Sequence, residues 1–252
     1  MSTAHQEEFL KRIKLALGKP LEQPSPKVEL FSSEMSAETP AILERIENRT
    51  AEDRTKLLEI LIEAAEPINL KVIPAKNIGS VTAAITELVR DKDPEWGDQK
   101  SVAAWQHPLI ESLELPDVLA EQGVPVYFAD LQKIDRENLR QRIIDSYIGI
   151  TSADFCMADT ATLVMRTRPG QARSVSLVPA IHIAVVELNQ IIADLKELYA
   201  LLKWDPHMSK EGVTNCMTFI SGPSKTADIE ATMVHGAHGP REVYIFVVTS
   251  ED

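Results

Sequence analysis

Apolar residues first recur at helical spacing in Thr3–Leu17, where Phe9, Leu10, Ile13 and Leu17 stand among charges and Gly18 ends the run. This predicts a short amphipathic helix. Pro20, Pro24, Pro26 and Pro40, with intervening Ser and Glu, make 18–40 a linker or an extended arm. Pro40–Ala65 is helical again, through Ile42, Leu43 and Ile46 and then Leu57, Leu58, Leu61 and Ile62, with a break near Asn48–Thr50. Leu70–Ile73 predicts a strand. Val81, Ala84, Ile85, Leu88 and Val89 give a clean helix stripe, with Ser80 as N-cap and Pro94 beyond its end. Val102–Trp105 and Val124–Phe128 read as strands around a short helix, Pro116–Gln122, and Leu139–Ile144 is a further helical piece.

The character changes near Ile148. Thr162–Arg166 predicts a strand, Arg168–Gln171 a turn, and Ser174–Val178 and Ile181–Val186 two more strands. Gln190–Lys203 predicts a helix with Ile191, Leu195, Leu198 and Leu202 on one face, and Trp204–Val213 a polar loop. Met217–Ile220 predicts a strand that ends at Ser221-Gly222-Pro223-Ser224. A helix over Lys225–Val234 follows, closed by Gly236, Gly239 and Pro240, and Val243–Val248 reads as a buried strand. Alternating strands and helices with antiparallel-looking strands between them predict an α/β sheet with a β-hairpin insertion. The expected organisation is an arm at 1–40 and a domain at 41–252.

The 252 residues carry a net charge of −12, which argues against a general nucleic-acid binder. No apolar run reaches transmembrane length, and the first residues have neither a basic start nor an apolar signal core, so a cytoplasmic protein is expected. Cys156 and Cys216 are the two cysteines, too few for a Cys-ligated iron–sulfur cluster. Any electron transfer would need the redox centre on a partner. The sequence leaves the identity of any cofactor open.

The expected helix at Lys225 would point its N-terminus into a loop of Ser221, Gly222, Ser224, Lys225 and Thr226, a natural anion site, with Asp228 just inside it. Thr160–Val186 holds Arg166, Arg168 and Arg173 and no acid, a positive island in an acidic chain. Arginine grips carboxylate and phosphate, so an anionic ligand is one reading. Pairing with Asp154, Asp159 or Glu187 is the other. The expected contacts are Arg173, Ser174, Ser221, Gly222, Ser224, Lys225 and Thr226, with Asp159 and Asp228 as second candidates. His182, in an apolar strand, reads as a core residue, and His235 and His238 lack a carboxylate at metal spacing, so no metal site is expected.

Five blocks in order resemble the LUD domain of the lactate-utilisation protein C family: Ile150–Phe155, Ala158–Val164, Arg173–Ala184, Ser221–Glu230 and His238–Glu242. The resemblance implies a fold like the NagB/RpiA/CoA-transferase group, a mostly parallel sheet with helices on both faces. It implies a cytoplasmic subunit of a system oxidising L-lactate to pyruvate, whose iron–sulfur clusters lie on other subunits. The chain departs from the family's usual Ala-Glu-Thr-Gly-Thr at Asp159 and Ala161. Two further readings stay open: a stand-alone enzyme on small acyl or phosphorylated metabolites with Asp159 as nucleophile or base, and an interaction protein docking through 1–40.

Overall fold

The structure is a computed structural model that describes residues 3–16, 18, 34–94, 97, 99–130, 132, 134–211, 214, 216–227 and 233–250. The chain divides into two compact units, Met1–Pro40 and Ala41–Asp252. The first holds helix α1 (Thr3–Ala16), as its pattern predicts.

The helices from there on are α2 (Thr39–Glu47), α3 (Ala51–Ala65), α4 (Ile78–Asp91), α5 (Pro108–Glu111), α6 (Leu115–Ala120), α7 (Arg136–Asp145), α8 (Ser174–Leu177), α9 (Leu195–Trp204) and α10 (Pro206–Glu211). The strands are β1 (Lys71–Ala75), β2 (Val102–Ala104), β3 (Val126–Phe128), β4 (Ile148–Thr151), β5 (Phe155–Met157), β6 (Thr162–Arg166), β7 (Ile181–Glu187), β8 (Ile191–Ile192), β9 (Met217–Ile220), β10 (Lys225–Ala227), β11 (Met233–His235) and β12 (Glu242–Val248).

Six strands form one sheet in the order β1-β12-β7-β4-β2-β3, and all its pairings are parallel. Parallel sheets are covered on both faces, which is why the central strands read as unbroken apolar runs. Alternate residues face two different cores. Ile148, Ile150, Ile183, Val185, Tyr244 and Phe246 pack with Val81, Ile85 and Val89 of α4 and with α5 and α6. Ala184, Val186, Val243, Ile245 and Val247 pack with Leu57, Leu58 and Leu61 of α3, Leu139 and Ile143 of α7, and a smaller sheet. That second sheet runs β8-β5-β6-β9, with β6 antiparallel to both neighbours, and it is the expected insertion. Its outer face packs on α9 and α2 through Phe155, Val164, Leu198 and Leu43.

Several local expectations change. Ser174–Val178 is a single helical turn, with Ser176 Oγ donating to the Arg173 carbonyl and the Val178 N–H to Ser174. A short apolar run does not distinguish strand from helix. Here tertiary packing decides: α8 crosses β4 so closely that a Cβ on Gly149 would lie 1.8 Å from the Val175 carbonyl oxygen. The helix expected from Gln190 starts at Leu195 because Asp194 caps it, accepting from the Lys196 and Glu197 N–H groups, and Ile191–Ile192 pairs with β5 instead. Helix α10 lies within the stretch expected to be a loop. Asn77, not Ser80, caps α4, its side chain accepting from the Ser80 N–H at 2.9 Å.

Buried charge also fixes the packing. Glu197 is wholly buried and binds Arg49 Nη2 at 2.7 and 2.8 Å, Arg45 at 3.0 Å and the Ala193 N–H at 2.7 Å. This ties the break after α2 to the start of α9, a link between segments about 150 positions apart that no local pattern announces.

Candidate functional site

The helix expected at Lys225 is not formed. Lys225, Thr226 and Ala227 pair in an antiparallel ladder with His235, Val234 and Met233. Thr226 and Val234 are β-branched and suit a ladder better than a helix. The dipole argument for an anion site at this loop therefore falls, and Asp228 lies outside the described residues.

Lys225 nonetheless reaches a basic cavity. Strands β1, β12 and β7 begin side by side, and outside their amino ends lies a hollow of about 520 Å³. Lys71, Lys92, Lys225 and Arg241 line it, against Asp93 and Glu242. The Lys225 ammonium donates to the Ile68 carbonyl at 3.0 Å. Glu242 is the local hub: Lys92 Nζ donates to its two oxygens at 2.6 and 2.7 Å, and the Tyr244 hydroxyl donates at 2.5 Å. Burial pushes the Glu242 carboxyl up, but those hydrogen bonds and the Lys92 and Lys71 charges outweigh it and hold the pKa below the usual value. Burial and the same carboxylate raise Tyr244 to about 12, so it is a hydrogen-bond donor at neutral pH.

The expected contacts gather in two places. Ser221, Gly222, Ser224 and Lys225 sit past the end of β9. Gly222 has φ +91, as its sharp turn requires, and packs on Ile68. Ser224 ties this loop to the next: its N–H donates to the Pro240 carbonyl, and its Oγ accepts from the His238 N–H at 3.3 Å. Thr226 is half-buried in β10. Arg173 and Ser174, by contrast, open α8. The Arg173 guanidinium donates from Nη1 to Cys216 Sγ at 3.1 Å, ahead of β9. Cys216 precedes β9 and Ser221 follows it, so the Arg173 contact and the start of the Ser221 loop lie at opposite ends of that strand. Arg173 does not line the basic cavity.

Asp159 is exposed and accepts from Thr160 Oγ1 at 3.1 Å. Thr162 Oγ1 bonds Thr160 Oγ1 at 3.0 Å and Ser221 Oγ at 2.7 Å, a hydroxyl chain that joins Asp159 to the Lys225 loop. Ala161, inside this turn, has φ +46, left-handed backbone that ordinary residues avoid.

The arginine island follows the second of its two readings at Arg166 and Arg168. Arg166, buried, and Arg168, 29% exposed, both pair with the Asp154 carboxylate, at 2.9 and 2.7 Å, so two of the island's three members are neutralised by one acid. His182 is a core residue, as its strand context predicts: its Nε2 meets Thr151 Oγ1 at 2.8 Å, and burial pulls its pKa down to about 3. Cys156 is buried, which raises its thiol to about 12. Among the described residues no group of three or more His, Cys, Asp or Glu is placed to hold a metal ion. Lys71, Lys92 and Arg241 were not singled out by their sequence context. They come from separate segments, and only the sheet order assembles them.

The model of the LUD domain matches residues 58–248, which includes every lining residue of the basic cavity. The chain belongs to the LUD domain family. Among relatives of this LUD protein, the lactate utilization protein C of Halalkalibacterium halodurans is 30% identical over 193 residues, 76% of this chain and 79% of the relative. The proteins of that name from Bacillus velezensis and Bacillus subtilis are 28% and 27% identical, and the matches cover 98% and 96% of this chain and 97% and 96% of theirs. A DUF162 family protein from Deinococcus radiodurans has the same fold: TM-score 0.52, 18% identity, 77% of this chain and 98% of that chain. No helix among the described residues is long and apolar enough to cross a membrane.

Proposed function

We propose that this LUD protein works in lactate utilisation, as a cytoplasmic subunit of a system that oxidises L-lactate to pyruvate. Iron–sulfur partners carry the electrons, and this chain binds a small anion at the amino edge of its parallel sheet. The observation that carries the reading is the likeness to lactate utilization protein C over most of both chains. With two cysteines, one of them buried, the chain cannot itself supply four thiolates to a cluster.

The basic cavity supports the anion. Four cationic side chains face two acidic ones there, in a chain of net charge −12. Glu242 satisfies Lys92 and part of Lys71, whereas Lys225 pairs with no carboxylate among the described residues. A carboxylate or phosphate entering the hollow would take that role. Ser221 and Ser224 hold the loop that presents Lys225 and are positioning residues.

The test is growth on L-lactate of a strain lacking the gene, complemented with the wild-type chain or with Lys225→Ala/Arg241→Ala. The wild type should restore growth and co-purify with cluster-bearing proteins, and the double variant should restore it poorly. Normal growth of the deletion strain on L-lactate would refute the role. Full rescue by the double variant would refute the cavity alone.

A second reading is a self-sufficient enzyme in which Asp159 reacts. Its support is an exposed carboxylate beside left-handed backbone at Ala161. Turnover of acyl or phosphorylated metabolites by the purified chain, lost in Asp159→Asn, is the outcome it requires.

A further inference from the structure

The basic cavity is one end of a longer groove. A second hollow of about 1210 Å³ adjoins it, and the two share Tyr147, Ala180 and Arg241. The lining of the second follows the sheet order: Arg241 precedes β12, Ala180 β7, Tyr147 β4, Ser101 β2 and Pro125 β3. The basic cavity continues the series to Lys71 at the start of β1. Together the hollows run along the amino ends of all six strands, and the spacings between those strands add to about 24 Å. That is far longer than any three-carbon acid.

The end away from the basic cavity suits a planar group. Tyr127 of β3 and Arg142 of α7 both line the second hollow, with the guanidinium carbon 4.8 Å from the ring centre. Arg142 is exposed, so a flat heterocycle can extend this stack, as nucleobases do on guanidinium and aromatic planes. The exposed side chains of Ile144 and Val178 add apolar wall beside it. Arg241, where the hollows meet, is placed by a glycine. A Cβ on Gly236, whose φ is +84, would lie 2.2 Å from Arg241 Cγ, so a larger residue there would push the arginine stem off that turn.

We infer that the groove binds a nucleoside diphosphate group, free or as half of a dinucleotide. Its base stacks on Arg142 and Tyr127, its ribose passes Tyr147, and its pyrophosphate lies between Arg241 and Lys225. This rests on the anion cavity proposed above and names what carries the anion. Length and shape select the ligand. Strands β3 and β12 stand about 19 Å apart, and an extended base, ribose and pyrophosphate span most of that, with the long arginine and lysine side chains closing the rest. Phosphate or a short carboxylate fills one end and leaves the stack unused. Existing bonds stay intact: Glu242 keeps Lys71 and Lys92, and Lys225 keeps the Ile68 carbonyl while the other N–H groups of its ammonium turn to phosphate.

The test is calorimetric titration of the full chain with ADP, NAD+, adenosine and pyrophosphate. Stacking tolerates any base, so ADP is a fair probe. It should bind saturably, and tenfold or more tighter than pyrophosphate or adenosine. Tighter binding of NAD+ than of ADP would assign the dinucleotide, and the reverse order the free nucleotide. Arg142→Ala should weaken ADP fivefold or more and leave pyrophosphate unchanged. Lys225→Ala/Arg241→Ala should weaken both tenfold or more. Saturable pyrophosphate with ADP no tighter would overturn the nucleotide and leave the anion cavity standing. Absence of saturable ADP binding, or an ADP affinity unchanged in Arg142→Ala, would also overturn it.

Discussion

Arg166, 2% exposed, donates from Nε to Asp154 Oδ1 at 2.9 Å, and its own backbone N–H meets Asp154 Oδ2 at 2.6 Å. Arg168 Nη2 lies 2.7 Å from the same carboxylate. Removing one partner of a buried pair costs about 3–5 kcal/mol, because the remaining charge is left uncompensated. Asp154→Ala should therefore lower the stability measured by urea unfolding by that amount. Asp154→Ala/Arg166→Met should recover a good part of it, as the second change removes the stranded guanidinium.

This pair also shows how far the sequence could be read. The acid-free stretch from Thr160 to Val186 leaves two readings open, a ligand island or pairing with acids just outside it, and the β5–β6 ladder, whose turn folds Arg166 back onto Asp154, decides for pairing at Arg166 and Arg168. The long elements were legible. The stripe from Val81 to Val89 and the apolar runs at Ile181 and Val243 needed nothing beyond periodicity and burial. Short apolar runs were not. Ser174–Leu177 is helical because it crosses Gly149, and Lys225–Ala227 is a strand because Met233–His235 pairs with it. Lys225 is expected as a ligand contact because a helix is expected to start there, and the structure has a strand in its place. Its companions Lys71, Lys92 and Arg241 come from three other segments, and no spacing rule joins them.

His182 makes stability depend on pH. Its pKa is pulled from 6.5 to about 3 by burial, so between those values the unfolded chain takes up a proton that the folded chain refuses. The unfolded state then binds more protons, and stability must rise with pH across this window, by up to about 1.4 kcal/mol per unit. Replacing His182 with Gln, which keeps a polar group near Thr151, should flatten the stability profile between pH 6.5 and 4 in denaturant titrations. An unchanged slope would mean that the ring is protonated in the folded state.

Glu242 acts in a lower window. Its folded pKa is held below 4.5, so its contribution is complete above the ordinary glutamate value and is lost as pH falls through the folded one. Glu242→Gln should remove that low-pH loss while leaving the His182 window in place. It should also leave Lys71 and Lys92 without their carboxylate and strengthen anion binding in the amino-edge cavity. Phosphate titrated into wild type and Glu242→Gln, read by thermal shift, should show the larger stabilisation in the variant.

Ala161 provides the sharpest test of backbone strain. Left-handed backbone costs an L-residue about 1–2 kcal/mol relative to glycine, which argues for Gly at φ +46. Two terms oppose the exchange. Glycine frees the unfolded chain by about 0.4–1 kcal/mol, and the Ala161 methyl, wholly buried, contributes about 0.8 kcal/mol. The terms nearly cancel, so Ala161→Gly should change stability by less than about 1 kcal/mol. Ala161→Val should cost more than about 2 kcal/mol, since a β-branched side chain fits neither this φ nor the closed core around it. Both are read from denaturant midpoints.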